Sequence, residues 1–144
     1  MDRVFYFVTM MNKIEHIGIA VKNLDEAIKT YEQLLGTACY KTEAVESEGV
    51  KTAFFQVGDS KIELLESTKP DGPIGKFIEN KGEGIHHIAF DVTNIRESMS
   101  DLASKGFRLL NEEPKSGADN KLVAFLHPKS SNGVLVELCQ ERSE

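Results

Sequence analysis

The sequence is short of several features that mark whole classes of protein. Cysteine occurs only as Cys39 and Cys139, and without a secretory signal we expect two reduced thiols rather than a disulfide. No apolar run reaches the roughly 20 residues that a transmembrane helix needs. No cluster of lysine and arginine interrupts the net charge of −6, which disfavours nucleic acids and anionic membranes as partners. A cytoplasmic location is therefore expected.

What is present indicates one folded domain. The chain has 144 residues, of which 40% are hydrophobic and 28% charged, as in ordinary globular domains. Its first residues, MDRVFYFVTM, are apolar but lack the small-residue cleavage site of a signal peptide. We expect residues 1–11 to be an extension that need not be native, with Met11 as an alternative start, and residues 12–144 to form the domain.

The strongest pattern is an internal repeat, in which IEHIGIAVKNLDEAIKTYEQLLG returns as IHHIAFDVTNIRESMSDLASKG. Each copy begins with the alternation of a half-buried strand and then changes to helical spacing. Asn23 and Asn94, each followed by a glutamate three residues later, predict where the helices begin. Gly36 and Gly106 predict where they end.

Three strand-like runs follow each helix, so each module is predicted to be βαβββ. The runs are residues 37–45, 51–57 and 61–66 in the first copy and 107–112, 121–127 and 133–140 in the second. Module one covers about 12–69, a linker with a short helix near 74–80 covers about 70–83, and module two covers about 84–141. Because neither half could bury its sheet alone, we predict one α+β fold with a shared core. A generic α+β sandwich is the alternative.

Strand alternation selects one histidine from each copy. His16 and Gly18 share one face of the first strand, and the aliphatic residues between and beyond them share the other, which the helix should cover. In the second copy His87 takes the place of His16 at an offset of 71 residues. Its neighbour His86 should point to the opposite face.

The last strand of each copy carries a carboxylate inside an apolar run. Glu63 lies in KIELL and Glu137 in LVELC, 74 residues apart, so the duplicated module places one histidine and one glutamate at equivalent positions twice. A pseudo-twofold axis would bring the four together, and two imidazoles with two otherwise costly buried carboxylates suit a divalent cation. Co, Mn, Ni, Zn and Mg all remain open. Each residue alone would be an ordinary core or surface residue.

Longer motifs give the chain a resemblance to a known family. HHIAF, KIELLE and EEPKSGADNKLVAFLHPKSSNGVLVEL resemble the methylmalonyl-CoA epimerase family of the vicinal-oxygen-chelate superfamily, which also includes glyoxalase I, bleomycin resistance proteins and extradiol dioxygenases. The match covers residues 12–141. The resemblance implies two βαβββ modules in a cupped mixed sheet around a metal site, one divalent ion as cofactor, an acyl-CoA thioester as substrate and a homodimer.

The implied reaction inverts the carbon between a thioester and a carboxylate. Chelation of both oxygens would place the charge of the enolate on a cation, and two groups would exchange protons on opposite faces. In some family members a glutamate base follows a Gly-Val pair, but that position here is Thr52. Glu137 and Glu48 are the candidate catalytic residues, with Glu46 and metal-bound water as alternatives, unless Glu46 and Glu48 are only solvated loop charges.

Three lysines in the epimerase-like segment are candidates for binding the coenzyme. Lys115, Lys121 and Lys129 could offset phosphate charge, although each alone would be an ordinary surface residue. Pro114 and Gly117 predict a loop there, which could close over a substrate.

Three other functions remain open on the same fold. Glyoxalase I uses a similar ligand set and would act on a glutathione hemithioacetal. An extradiol-type dioxygenase is expected to use a single three-ligand Fe(II) set, and a resistance-type module would bind small molecules without a metal. The C-terminal motif and the presence of all four ligand-type residues favour the epimerase.

Overall fold

Eight strands and three α-helices follow one another in the order that the duplicated pattern predicts. The computed structural model describes residues 11–142, so most of the expected extension, residues 1–10, lies outside the described part. The strands are β1 (Met11–Ala20), β2 (Lys41–Val45), β3 (Val50–Val57), β4 (Ser60–Ser67), β5 (Gly84–Val92), β6 (Lys115–Gly117), β7 (Lys121–Leu126) and β8 (Val136–Glu141). The helices are α1 (Leu24–Leu35), α2 (Pro73–Lys81) and α3 (Ile95–Ser104). Within the described part, no helix is long and apolar enough to cross a bilayer.

The strands form one curved sheet in the order β2-β3-β4-β1-β5-β8-β7-β6. Each module contributes four neighbours, and its first and last strands pair in parallel, β1 with β4 and β5 with β8. A parallel pair needs a long crossover, which the helix and the two intervening strands supply. β1 and β5 pair antiparallel at the centre and join the modules. The predicted α+β fold of two βαβββ modules is confirmed.

The helices cover the two faces of the sheet unequally. α1 packs on the buried Leu64 and α3 on the buried Leu126 and Leu138, so both lie on the aliphatic face that the alternation predicts. α2, the helix predicted in the linker, packs through Ile74 against Leu65. Because neighbouring strand residues face opposite sides, α2 lies on the other, concave face and covers part of it.

Local sequence determines where α1 and α3 begin. The side chains of Asn23 and Asn94 each accept a hydrogen bond from the backbone N–H three residues later, at 3.0 and 3.1 Å. Such a cap typically contributes about 1 kcal/mol. Gly36 follows α1 with φ of 69°, a left-handed conformation that favours glycine. α3 ends at Ser104, slightly before the predicted Gly106.

Three register shifts interrupt the pairing of β1 with β5, and two of them are β-bulges beside His16 and His87. The register moves by one residue between Ile14 and His16, which leaves Glu15 as the additional residue of β1. It moves again next to Gly18, which leaves His86 as the additional residue of β5. Because a bulge breaks the simple alternation of side chains, Glu15 and His86 are free to face the same side as the histidine that follows each of them.

Charged contacts join the two ends of the sheet, so that it nearly closes around its concave side. Asp119, in the turn after β6, accepts a hydrogen bond from Lys41 Nζ at 2.9 Å, and its backbone N–H donates to Glu43 Oε1 at 3.0 Å. Lys115 on β6 forms an ion pair of 2.9 Å with Glu48, in the turn between β2 and β3. Both edge strands are thereby tied across the opening.

One predicted strand is wrong. Residues 107–112 were expected to pair, but Leu109 makes only an isolated bridge with Leu126. Phe107 and Leu109 instead pack against the core beneath α3. The place beside the first half of β7 is taken by β6, which lies in the segment predicted as a loop from Pro114 and Gly117. The sequence pattern correctly identified apolar residues in 107–112. It did not identify β6 as the strand that pairs with the first half of β7.

Two other predicted strands are shorter than expected. The run over residues 37–45 pairs as a strand only from Lys41, and the run over 133–140 pairs from Val136. In the first case the backbone N–H of Cys39 donates to the side chain of Glu32 and not to a neighbouring strand. Both differences lie at strand ends and leave the two βαβββ modules as predicted.

Candidate metal centre and active site

Two rows of paired residues cross the concave face at the centre of the sheet. The four predicted ligands, called the tetrad below, are His16, Glu63, His87 and Glu137. In one row Gly18 on β1 lies between Glu63 and His87, its paired residues on β4 and β5. In the other row Ala89 on β5 lies between His16 and Glu137. Each pair of ligands thus flanks a very small residue, which leaves room for their side chains to meet.

The donor atoms of the tetrad converge on one point. His16 Nε2 lies 3.0 Å from His87 Nε2, 3.1 Å from Glu63 Oε1 and 3.5 Å from Glu137 Oε1. His87 Nε2 lies 3.1 Å from Glu137 Oε1 and 3.7 Å from Glu63 Oε1. Each of these residues is 6% exposed or less. The structure therefore brings together all four residues that the repeat selects.

Gly18 is required for this arrangement. A Cβ atom at that position would lie 2.1 Å from Cε1 of the His87 ring, far inside van der Waals contact. The ring itself is fixed by its neighbours in the buried tetrad, so it could not move without giving up its place there. The absence of a side chain at residue 18 is thus part of the site.

Gly18→Ala is expected to weaken metal binding about tenfold or more, because the new methyl group displaces the His87 ring. Overpacking of this kind costs about 1–3 kcal/mol of stability. Titration with Co²⁺ and thermal unfolding of the metal-free protein would measure both effects. The control is Gly18→Ala combined with His87→Ala, where the stability cost should vanish relative to His87→Ala alone. An equal cost in both backgrounds would contradict the proposed clash.

The carboxylates of the tetrad are held in the ionised form. Burial acts to raise the pKa of Glu137, but hydrogen bonds and charge from His16 and His87 outweigh it and lower the pKa to about 2. The pKa of Glu63 is lowered for the same reasons. Burial acts to lower the pKa of His16, yet its contacts with the surrounding carboxylates raise it well above the ordinary value. A bound cation would take the place of the protons on these imidazoles.

The tetrad fits a divalent cation by both geometry and charge. Donor atoms that share one ion at about 2.1 Å lie roughly 3.0 to 3.5 Å apart at tetrahedral or octahedral angles, close to the distances found here. Two ionised carboxylates and two neutral imidazoles carry a charge of about −2, which a divalent ion balances. His16, His87 and Glu137 also offer one ligand atom each within 4.8 Å of one another.

The tetrad lines a cavity of about 720 Å³, measured to its open mouth. Much of the wall is apolar and comes from both modules and from α2. Its apolar residues include Val45, Val50, Phe54, Leu65, Ile74, Val123 and Phe125. A cavity that combines apolar walls with charged groups around the tetrad suits a small organic group that reaches the tetrad with its oxygen atoms.

The candidates for moving protons are placed differently. Glu48 lines the cavity, and Lys115 holds its carboxylate at 2.9 Å. Glu46 is not one of the described residues that line the cavity. Thr52 lies in the wall and is fully buried, and its hydroxyl donates to the carbonyl of Glu43 at 3.4 Å. A neutral hydroxyl used in this way is a poor base, so Glu48 is the better placed of the three.

The three candidate lysines differ in whether they line the cavity. Lys115 and Lys121 line the cavity. Lys121 is 6% exposed, and its Nζ lies 3.8 Å from Glu15 Oε2, so it belongs to the interior and not to the surface that sequence reasoning assumed. Lys129 is not among the described residues that line the cavity, and its backbone N–H donates to His127 Nδ1 at 3.0 Å.

Sequence reasoning missed two residues of the site. His86 was expected to point away, but it lines the cavity, with its Nδ1 2.9 Å from Nδ1 of His87. Burial and the charge of His87 lower the pKa of His86 to about 4. Glu15 is buried and holds His16 Nδ1 at 2.6 Å. The sequence feature that could have revealed both is a polar residue directly before each ligand histidine, in a strand that is otherwise mostly apolar.

Known proteins share this fold and about 40% of this sequence. The sequence profile of the Glyoxalase/Bleomycin resistance protein/Dioxygenase superfamily matches residues 15–125. Human mitochondrial methylmalonyl-CoA epimerase is 40% identical over 141 residues, which cover 97% of this chain and 80% of the human protein. The chain belongs to the methylmalonyl-CoA epimerase family of this superfamily.

Two further relatives extend the epimerase comparison. A variant of Streptomyces coelicolor methylmalonyl-CoA epimerase, solved in complex with 2-nitronate-propionyl-CoA, superposes with a TM-score of 0.88 at 36% identity, covering 93% of this chain and 100% of that one. The uncharacterized protein YqjC of Bacillus subtilis is 42% identical over 134 residues, covering 93% of this chain and 96% of that protein. The resemblance inferred from the motifs is confirmed, and so is the glyoxalase-like fold.

Proposed function

We propose that this enzyme inverts the α carbon of methylmalonyl-CoA and that a divalent cation held by the tetrad is needed for it. The observation that carries the proposal is the convergence of four buried donor atoms beside a cavity of about 720 Å³. Support comes from the human relative, which is a methylmalonyl-CoA epimerase at 40% identity. The Streptomyces coelicolor relative, also an epimerase, binds an acyl-CoA analogue.

The chemical difficulty is the weak acidity of the proton between the thioester and the carboxylate. When bound, the cation would supply positive charge that stabilises the negative charge developing on the acyl group as this proton leaves. The four residues of the tetrad would hold the cation. Glu15 would fix the position of the His16 ring, and Gly18 would leave space for the His87 ring. The apolar walls exclude water, which strengthens every electrostatic interaction inside the cavity.

Glu48 is our candidate for the group that removes or returns the α proton. Its carboxylate lines the cavity without being a donor of the tetrad, and the ion pair with Lys115 keeps it in position. Glu137, the other candidate from the sequence, has a pKa of about 2 and contacts both histidines. These contacts favour a ligand role for Glu137 and make it the weaker base.

The lysines are assigned by their positions. We propose that Lys121, inside the cavity, attracts the carboxylate of the acyl group, because a buried ammonium is a strong partner for an anion. Lys115, whose side chain is 43% exposed, and Lys129 remain candidates for contacts with the coenzyme phosphates. We also propose that the protein is a cytoplasmic homodimer without nucleic acid or membrane partners. Sedimentation would test the dimer.

The proposal is tested by removing and restoring the metal. Chelator-treated protein should leave one epimer of methylmalonyl-CoA unchanged, and adding back Co²⁺, Mn²⁺, Ni²⁺, Zn²⁺ or Mg²⁺ should restore interconversion, followed by chromatographic separation of the epimers. The hemithioacetal of methylglyoxal and glutathione is the comparison substrate. Turnover of that compound alone would indicate a glyoxalase, and no metal binding at all would indicate a binding module.

A further inference from the structure

The two histidines of the tetrad are each preceded by a polar residue that faces the same cavity, the buried Glu15 and the half-buried His86. Glu15 and His86 occupy equivalent places in the repeat, 71 positions apart. Each is the additional residue of a β-bulge in the pairing of β1 with β5. A bulge re-aims a side chain that regular alternation would send to the opposite face. The fold thus produces the same local irregularity twice, once beside each imidazole.

Glu15 is held rigidly against its histidine. Its Oε1 lies 2.6 Å from Nδ1 of His16, and its Oε2 lies 2.8 Å from Nζ of Lys61. Lys61 in turn is 2.8 Å from Asp119, which also pairs with Lys41. Because a carboxylate accepts hydrogen bonds and does not donate them, Nδ1 of His16 must carry the proton. Nε2 of His16 is then the nitrogen whose lone pair can bind a metal ion.

His86 stands in the same relation to the second histidine. Its Nδ1 lies 2.9 Å from Nδ1 of His87, and its ring packs edge-on against Phe77 of α2 with centroids 5.0 Å apart. When Nε2 of His87 faces the tetrad, its Nδ1–H is the group that can donate to His86. The linker helix therefore supports the second imidazole, as the Lys61 network supports the first.

We infer that Glu15 and His86 are positioning residues of the metal centre, each fixing the tautomer and the orientation of the neighbouring ligand histidine. The inference rests on the proposed metal site. Histidines that bind metals usually give their second nitrogen to such a partner, and loss of that partner typically weakens metal affinity by about 10–100-fold. Nothing about either residue requires contact with the substrate.

The two supports differ in strength. Glu15 offers an ionised acceptor, whereas His86 offers a neutral nitrogen, and charge-assisted hydrogen bonds are roughly twice as strong as neutral ones. The larger loss should therefore follow a change at Glu15.

The test is titration of metal-free protein with Co²⁺, read from the Co²⁺ absorption spectrum, with the Kd referred to the folded fraction. Glu15→Leu, which removes the acceptor, should raise the Kd about 10–100-fold and His86→Phe about tenfold. His86→Gln, which restores an acceptor, should recover most of the affinity. Glu43→Gln is the matched control, because Glu43 touches Asp119 in the same charged network but no histidine.

Each outcome is decisive. Kd values within twofold of the wild type for Glu15→Leu and His86→Phe would overturn the inference while leaving the proposed function intact. An equal loss in Glu43→Gln would show an effect of network charge and would also overturn it. Failure of the wild type to bind any metal would remove the metal site and this inference together. If Glu15→Leu does not fold, the His86→Phe and His86→Gln pair decides.

Discussion

Glu137→Ala is expected to abolish tight metal binding and to lower kcat for methylmalonyl-CoA about 10³-fold or more. Glu137 contacts both histidines of the tetrad, at 3.5 and 3.1 Å, so its removal takes away one donor and half of the negative charge of the tetrad. Loss of Lewis-acid stabilisation is worth several kcal/mol, and each ~1.4 kcal/mol changes a rate about tenfold.

The control for this change is Glu141→Ala. Residue 141 lies on the same strand, β8, and is exposed at its end, so the substitution should alter neither metal affinity nor kcat. Co²⁺ titration and turnover of one epimer would be measured for both variants. Full activity of Glu137→Ala with unchanged metal affinity would show that the cation, if any, is bound elsewhere.

Glu48→Gln is expected to lower kcat about 10²–10⁴-fold, the usual contribution of a positioned general base. The amide keeps the size and a hydrogen-bonding oxygen near Lys115 but cannot accept the α proton. Metal affinity should stay unchanged, because Glu48 is not one of the converging donors, and KM should change little. This combination distinguishes the expected loss from that of Glu137→Ala.

Glu46→Gln is the matched control for Glu48. The two glutamates share one short turn, and only Glu48 is among the residues that line the cavity. Glu46→Gln should therefore keep wild-type kcat. A Glu48→Gln variant that retains activity within about threefold would show that another group moves the proton, and Lys121 would be examined next.

The tetrad could be predicted from the sequence because two independent regularities agree. The repeat gives equivalent positions, and strand alternation gives the face, so His16 and His87 follow without any knowledge of the fold. The carboxylates follow from the cost of placing Glu63 and Glu137 inside apolar runs. Alternation places Gly18 on the same face as His16, but the ring that fills the space at Gly18 is that of His87, which comes from the paired strand and is visible only in the structure.

The bulges explain what sequence reasoning could not find. Alternation assigns faces only in regular pairing, and an additional residue in one strand changes the face locally. For that reason His86 was placed on the wrong side and Glu15 was not considered. The prediction for residues 107–112 failed for a different reason. Only Leu109 pairs with β7, and whether an apolar segment forms a strand or packs as a loop depends on tertiary contacts that its own pattern does not contain.

The most direct test of the account follows the α hydrogen itself. Wild-type protein with restored metal is incubated with one epimer of methylmalonyl-CoA in deuterated water, and deuterium at the α carbon is measured by mass spectrometry beside the loss of optical purity. The account predicts that both occur together, only with the metal, and far more slowly in Glu48→Gln. Unchanged optical purity and no deuterium with any of the five metals would contradict it.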